Sequence, residues 1–598
     1  MKRKLITETS VSNNTRSKKP RIIIPEHMEY VSATDLHNYM IDDTLVDWLK
    51  LQQFNSYSEY SCREVKNNNF TNFIMRKGHE FEENIVKYIN DNIHPIITIS
   101  PYITQKSIEK SISLMKEGYP IIHSIPVLNS INKTKGVLDL LVRSDYINKL
   151  FNQKIIDEDL ETKKAPGLNG NYHYIVIDVK FSTLPLRSDG IHLQNIDHYP
   201  AYKAQLLIYT QAIAQIQKYN PNYAFILGRR WKYTKNNVVY TNNSCLDRLG
   251  KIDYNDIDIA YIENTEKGIE WVQRVRRNAY KWKVNPPSCI ELYPNMCKDS
   301  GTWNKEKQDI SDSIGEITSI WCVSQKHRNK AIEKGIYSWR DKNCTAENIE
   351  FNGKKASTVD KILQINRQDK YKILPEKIEN NLFEWKNSTN NLYIDFETLS
   401  DCSTNFNELP LQENKQIIFM IGIGWIENDI WNYKNFTCKR NSYEEEFRIM
   451  NEFANFISLR NNPKLFFWCA EDKFWKKSYR RHFEISNSLN KLQISNKWNL
   501  NNWCDLCLIF RQEPIVIKDC FNFGLKNIAK ALYKHNMISI KLESDCKDGM
   551  TAMVEALKLY NSNSAVENSY IMNDIIKYNE FDCKILKEIL FFMQKNLS

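Results

Sequence analysis

Two apolar runs in the sequence, Tyr174-Ile-Val-Ile-Asp-Val-Lys-Phe181 and Leu392-Tyr-Ile-Asp-Phe-Glu-Thr-Leu399, each carry two charged residues two positions apart. Side chains alternate across a strand, so this spacing puts Asp178 and Lys180 on one face and Ile175, Ile177 and Val179 on the other. A carboxylate beside an ammonium can bind a divalent cation and position or polarise a water for attack on a phosphodiester. The same period sets Asp395 beside Glu397, with Ile394 and Phe396 packing inward. Adjacent carboxylates on an apolar strand repel unless a cation lies between them, and a two-metal phosphoryl-transfer site accounts for that pairing. Against this stands a blander reading, a surface strand with an ion pair, because a bare D-x-K arises by chance in a chain with 26% charged residues.

The neighbours of the first run add weight. Gly136-Val-Leu-Asp-Leu-Leu-Val142 is another apolar strand interrupted by one acid, Asp139, and a lone buried carboxylate is costly unless paired or metal-bound. Upstream, Gly78-His-Glu-Phe-Glu-Glu83 opens a helical pattern with Phe81, Ile85 and Tyr88 on one stripe; Glu82 lies beside that stripe and Glu83 farther round. Downstream, Gln205 and Tyr209 are four apart on a predicted helix, hence on one face, where they can orient the site or touch nucleic acid. The order G-x-x-x-E, G-x-x-D, D-x-K, Q-x-x-x-Y resembles the RecB-like branch of the PD-(D/E)xK nucleases over about residues 75 to 215. That resemblance implies that Glu82, Asp139 and Asp178 hold Mg²⁺ or Mn²⁺ and that Lys180 is the catalytic lysine. Hard oxygen ligands suit those ions on independent grounds.

Near the end of the chain, Tyr578-Asn-Glu-Phe-Asp582 has helical periodicity, which puts Tyr578 and Asp582 on one face; the acid can complete a metal site and the tyrosine can orient the attacking water. D-x-E early and Y-x-x-x-D late resemble the tyrosine-bearing DEDD 3′→5′ exonucleases of the ribonuclease H-like fold, over about residues 390 to 595. Phe523-Gly-Leu-Lys-Asn-Ile-Ala-Lys-Ala-Leu532 looks like the helix that follows the middle motif of that family. The middle motif departs from the family pattern: Phe466-Phe-Trp-Cys-Ala-Glu-Asp472 lacks the usual Asn and offers Glu471 or Asp472, with Asp505 as a further choice; Glu471 is the preferred ligand.

The elements that must position these residues divide the chain into a disordered basic tail (1–25), a nuclease domain (26–285), a mainly helical connector of helix-hairpin-helix character (286–385) and an exonuclease domain (386–598). The expected fold class is α/β, a restriction-endonuclease-like domain joined to a ribonuclease H-like one. Of the net charge of +10, six lie in residues 1 to 25, where seven basic residues face Glu8 alone. The body is then nearly balanced, so phosphate would be held by local clefts, and Arg16-Ser-Lys-Lys-Pro-Arg21 reads equally as an import or nucleic-acid arm and as a solubilising tail. No apolar run reaches the ~18 residues of a membrane span, and the 14 cysteines show one CxxC, Cys504 and Cys507, without a second pair at zinc spacing. The expectation is an intracellular protein, cytoplasmic or nuclear, with reduced thiols. Two nuclease motif sets in one chain resemble fused RecB-like nucleases of bacteria and large DNA viruses. This implies DNA as partner, in repair, recombination or genome processing, with a helicase supplying any motor. The alternatives are an RNA-processing exonuclease and a binding scaffold with one inactive domain.

Overall fold

The computed structural model describes residues 29–53, 69–379, 385–401, 406–412, 416–540, 549–562, 566 and 569–597. The basic tail read from the sequence lies outside the described residues. The chain is mixed α/β and is organised around two mixed sheets.

The first sheet contains β1 (Val31–Ser32), β2 (Ile97–Thr98), β3 (Ile121–Asn129), β4 (Thr134–Arg143), β5 (Tyr174–Pro185), β6 (Tyr223–Lys235), β7 (Val238–Asn242) and β8 (Gly250–Asp253). Its order is β2-β3-β4-β5-β6-β7, with β1 beside β4 and β8 beside β6. β4 and β5 are antiparallel, β5 and β6 parallel. The polar stretch from Asp157 to Tyr172 lies within the long β4–β5 connection. Helix α1 (Asn69–Asn92) covers one face and helix α2 (Tyr199–Gln217) the other. Helix α1 is already formed at Asn69, nine residues before the Gly78 start expected from the sequence, because Phe73, about two turns N-terminal to Phe81 and three to Ile85, already finds an apolar partner surface. β5 is therefore buried on both faces: Val176 packs towards α2, while Ile175, Ile177 and Val179 pack with Phe81 and Ile85 of α1. The surface-strand reading of D-x-K does not hold at Asp178, which is 1% exposed.

The second sheet has the order β12-β11-β10-β13-β14, from β10 (Asn391–Leu399), β11 (Ile417–Glu427), β12 (Ile430–Thr437), β13 (Lys464–Phe467) and β14 (Trp503–Asp505). β10 is central, antiparallel to β11 and parallel to β13. A small ladder pairs β9 (Ile373–Leu374) with β15 (Val516–Ile517). The helices that matter here are α3 (Glu471–Ile485), α4 (Leu506–Gln512), α5 (Leu525–Lys534) and α6 (Tyr570–Asn596). Between the sheets run short helices, among them Asn304–Ile314, Gln325–Glu333 and Ala356–Arg367. From Ile317 onward their apolar side chains share one core with α4, α5 and α6.

The two sheets are tied together at their site-bearing ends. α1 places Phe73 in the core of the second sheet and Phe81, Ile85 and Ile89 in that of the first. Phe406, downstream of β10, stands 5.7 Å from both Phe81 and Phe181. Arg229 of β6 donates to the Asp401 backbone oxygen and to Asp401 Oδ1, each at 2.7 Å, and Arg230 reaches Asp401 Oδ2.

α2 is fixed by a fully buried ion pair: Lys203 Nζ donates to Asp258 Oδ1 at 2.6 Å, Asn195 Oδ1 at 2.8 Å and the Leu193 carbonyl at 2.9 Å. Removing one partner would strand the other charge in an apolar setting. Lys203→Met is expected to destabilise the protein by about 3–5 kcal/mol, read from the urea midpoint, and Lys203→Met with Asp258→Leu to regain most of that loss. A single variant within about 1 kcal/mol of wild type would show that the pair does not anchor α2.

Candidate functional site

The first cluster forms where β4 and β5 part. Their ladder runs from Arg143↔Tyr174 to Leu140↔Ile177. One step further the register sets Asp139 across from Asp178, and there the Asp139 side chain replaces a backbone partner: Val179 N–H donates to Asp139 Oδ2 at 2.7 Å. Lys180 Nζ stands 2.6 Å from Asp178 Oδ2, yet neither buried Asp178 oxygen accepts a hydrogen bond of good geometry. Burial pushes the Asp139 carboxyl well above its ordinary range, and the neighbouring Asp178 and Glu82 add to this, while Lys180 and the Val179 N–H pull it down. For Lys180, burial opposes the charge but Asp178 and Asp139 outweigh it, so the ammonium is held firmly protonated. Glu82 reaches the cluster from α1 and pairs with His123 Nε2 of β3 at 3.1 Å; the other ring nitrogen lies 3.2 Å from Thr98 Oγ1. Gln205 donates to the Tyr209 hydroxyl at 3.0 Å, and Tyr209 is raised by burial and then by Asp178. The motif glycine Gly136 has a steric reason: a Cβ there would sit 2.4 Å from the Tyr209 ring.

The second cluster gathers at the carboxyl end of β10, where the parallel and antiparallel neighbours diverge; open sheets leave their crevice at such a point. Asp395 Oδ2 accepts from Asn579 Nδ2 of α6 at 2.7 Å, and Asn579 Oδ1 accepts from the Tyr433 hydroxyl at 2.9 Å. Asn579 can come this close because Gly422 of β11 is paired opposite Asp395; a Cβ on Gly422 would fall 1.6 Å from Asn579 Oδ1. Glu397 is buried and pushed up to about 8, by burial and then by Asp582. Asp395 is driven well above its ordinary range by burial, Glu397, Asp582 and Glu471. Asp582 rises to about 6 through burial, against Lys526 and the Tyr578 hydroxyl, and its Oδ1 has no hydrogen-bond partner. Lys526 Nζ of α5 donates to the Tyr578 hydroxyl at 2.8 Å and lies 4.1 Å from that ring's centre. Burial and the three nearby acids keep the Tyr578 phenol protonated.

The structure separates the three choices for the middle acid. Asp505 caps α4, its Oδ1 accepting Leu508 N–H at 3.1 Å and Cys469 N–H at 3.0 Å. Asp472 pairs with Lys476 at 2.9 Å on the outer side of α3. Glu471 is buried at the first turn of α3, is pushed up to about 8 by burial, and is among the acids that raise Asp395. Sequence reasoning missed His123, Asn579 and Lys526 as neighbours of these acids. For Lys526 the signal was present, since it sits in the Phe523–Leu532 run; for His123 on β3, pairing with a distant helix left none.

A hard divalent cation fits this chemistry, because the donors are carboxylate oxygens and Asp178 Oδ1 and Asp582 Oδ1 are acceptors without hydrogen-bond partners. Among the described residues, no three His, Cys, Asp or Glu side chains already converge as a metal cage. The geometry gives the reason: Lys180 holds Asp178, His123 holds Glu82 and Asn579 holds Asp395. No protein-family model matches the chain, and no curated protein matches it significantly.

The raised carboxyls make a pH prediction. Glu397 and Glu471 stand near 8 against an ordinary 4.5, and Asp582 near 6 against 3.8. Between those limits the folded chain binds more protons than the unfolded one, so the stabilisation is complete below the ordinary values and is lost as pH rises through about 6 to 8. With EDTA present, the urea midpoint is expected to fall between pH 5.5 and 8.5. Glu397→Gln should flatten that fall by at least about 1.4 kcal/mol, the worth of one unit. Parallel pH profiles for the two proteins would contradict this account.

Proposed function

We propose that this chain is a metal-dependent nuclease that hydrolyses phosphodiester bonds of DNA through two sites, a lysine-assisted one on the first sheet and a tyrosine-assisted exonuclease one on the second. The observation that carries this reading is the company the acids keep. At several other buried acids a cation is the partner: Asp258 meets Lys203, Asp43 meets Lys307, and Glu446 meets His482 and Arg481. Those partners hold Glu446 below its ordinary value despite burial. At the two clusters Asp139, Asp395 and Glu397 each have a neighbouring acid as the next influence after burial, and they rise. Such an arrangement is stabilised by an added cation and has little structural rationale without one.

The motif order supports the assignment of residues 26–285 to a restriction-endonuclease-like fold and 386–598 to a ribonuclease H-like fold. Glu82, Asp139 and Asp178 would hold Mg²⁺ or Mn²⁺ at the first site, and Asp395, Glu397, Glu471 and Asp582 at the second. Bound there, the ion supplies Lewis-acid polarisation of the phosphate and a water of lowered pKa. The Lys180 ammonium, kept charged by Asp178 and Asp139, adds positive charge where the phosphate oxygens gain negative charge. Tyr578 stays protonated; its oxygen accepts from Lys526 and its hydroxyl is engaged with Asp582, so in the empty site it orders that acid, and it would orient a water or a phosphate oxygen once Asp582 turns to a cation. Gln205 and Tyr209 buttress the first site from α2.

Wild type, Lys180→Ala, Asp395→Ala and the double variant, given end-labelled single-stranded DNA, duplex DNA and RNA with Mg²⁺ or Mn²⁺, test the reading. Each single variant is expected to lose one product pattern by ~10²–10⁴-fold, and the double variant to lose both. Cleavage that survives both substitutions would end the proposal, and an unchanged single variant would reduce that domain to a binding role.

A further inference from the structure

α3 starts at Glu471 in the second cluster and then exposes Lys473, Lys476, Lys477 and Arg480 at helical spacing along one face. These side chains line a shallow trough of about 380 Å³. Asp472 offsets Lys476 at 2.9 Å, and Arg481 turns inward to Glu446. The stripe leads to the first sheet. Lys477 is held below its ordinary value by burial and then by Arg481, with Asp401 opposing and Arg230 and Lys232 of β6 adding to the repulsion. Four cations from two elements, Lys477 and Arg481 of α3 and Arg230 and Lys232 of β6, thus lie within electrostatic reach of one another, with Asp401 offsetting part of that charge, and a polyanion would relieve what remains.

Beyond Lys232 the surface changes character. A groove of about 510 Å³ opens beside the first cluster, lined by Tyr199, Tyr202, Lys232 and Tyr233 among others. The Tyr202 ring lies 4.8 Å from Lys180 Nζ, and Tyr233 stacks on Tyr240 at 4.8 Å. β6 pairs Gly228 with Lys180; beyond that level Arg229 and Arg230 are buried on Asp401, and Lys232 is the exposed cation that continues from the first site. Cations that track a backbone, next to aromatic faces on which bases can stack, are the combination that holds single-stranded nucleic acid.

We propose that the exposed face of α3 and the outer end of β6 form one binding track for the phosphate backbone of a single strand, running between the two carboxylate clusters. The direction of use rests on the nuclease reading, whereas the binding itself does not. The ligand chemistry is a flexible polyphosphodiester, and DNA and RNA are its two sources.

Fluorescence anisotropy with 5′-fluorescein-labelled oligo(dT) and oligo(rU) 30-mers, in EDTA so that nothing is cut, tests the track on the full chain. The quadruple variant Lys473→Glu, Lys476→Glu, Lys477→Glu, Arg480→Glu is expected to weaken binding at least ~10-fold and to lower the magnitude of the log Kd against log salt slope by about 2 to 3. Lys232→Glu with Tyr233→Ala, on the other flank, should weaken binding of the same strand. If the glutamate quadruple does not fold, the alanine quadruple is expected to give a smaller loss in the same direction. Tighter binding of either polymer identifies the source. The track is overturned if the wild type binds neither oligonucleotide, or if either flank can be changed with no effect on affinity and salt slope. Loss of binding in the variants, with no cleavage by wild type in Mg²⁺ or Mn²⁺, would keep the track and remove the nuclease reading.

Discussion

Carboxylates buried against other carboxylates are the costliest feature of this chain, and much of the surrounding structure serves to keep them there. A buried acid with no cation ordinarily takes up a proton or finds a partner. Here Asp139 is held by a backbone N–H, Asp395 by Asn579, Glu82 by His123 and Glu471 by the Ala470 N–H. The backbone N–H groups and the Asn579 carboxamide fix positions without cancelling charge, whereas Lys180 beside Asp178 and Lys526 near Asp582 bring positive charge to each cluster.

That constraint reaches into the backbone. Gly136 and Gly422 lie far apart in sequence and serve the same end, each leaving room for a side chain that crosses from a helix onto an acid-bearing strand. Tyr209 uses the first gap and Asn579 the second. A methyl group at Gly136 would collide with the Tyr209 ring, and one at Gly422 with the carboxamide of Asn579, whose Nδ2 holds Asp395. Joining the two sheets through α1, Phe406 and Asp401 then sets both clusters on the same framework, with β6 and α3 between them.

How much of this could be read from sequence follows from range. Period-two spacing predicts that Asp178 with Lys180, and Asp395 with Glu397, share a face, because alternation is a local property of one strand. The interrupted apolar run flags Asp139 for the same reason. What escaped was non-local. His123 meets Glu82 across 41 positions, and Asn579 meets Asp395 across 184. The start of α1 was misplaced because Phe73 is buried by the second sheet, a surface that no local pattern announces. Burial on both faces of β5 likewise needed the covering helices in place.

The three candidates for the middle acid differ in what packing has given each of them to do. Glu471, Asp472 and Asp505 are all acids near a strand-to-helix junction, and sequence alone ranks them weakly. Asp505 already satisfies two backbone N–H groups and Asp472 has a lysine one turn on. Those two have structural work to do and would give it up at a cost. Glu471 sits at the start of α3, where the helix dipole and the Ala470 N–H favour its anion, yet burial still pushes it up to about 8. With those opposing influences, a nearby cation would favour the anion and lower the carboxyl again. Of the three candidates, Glu471 is thus the one whose ionisation a nearby cation would change.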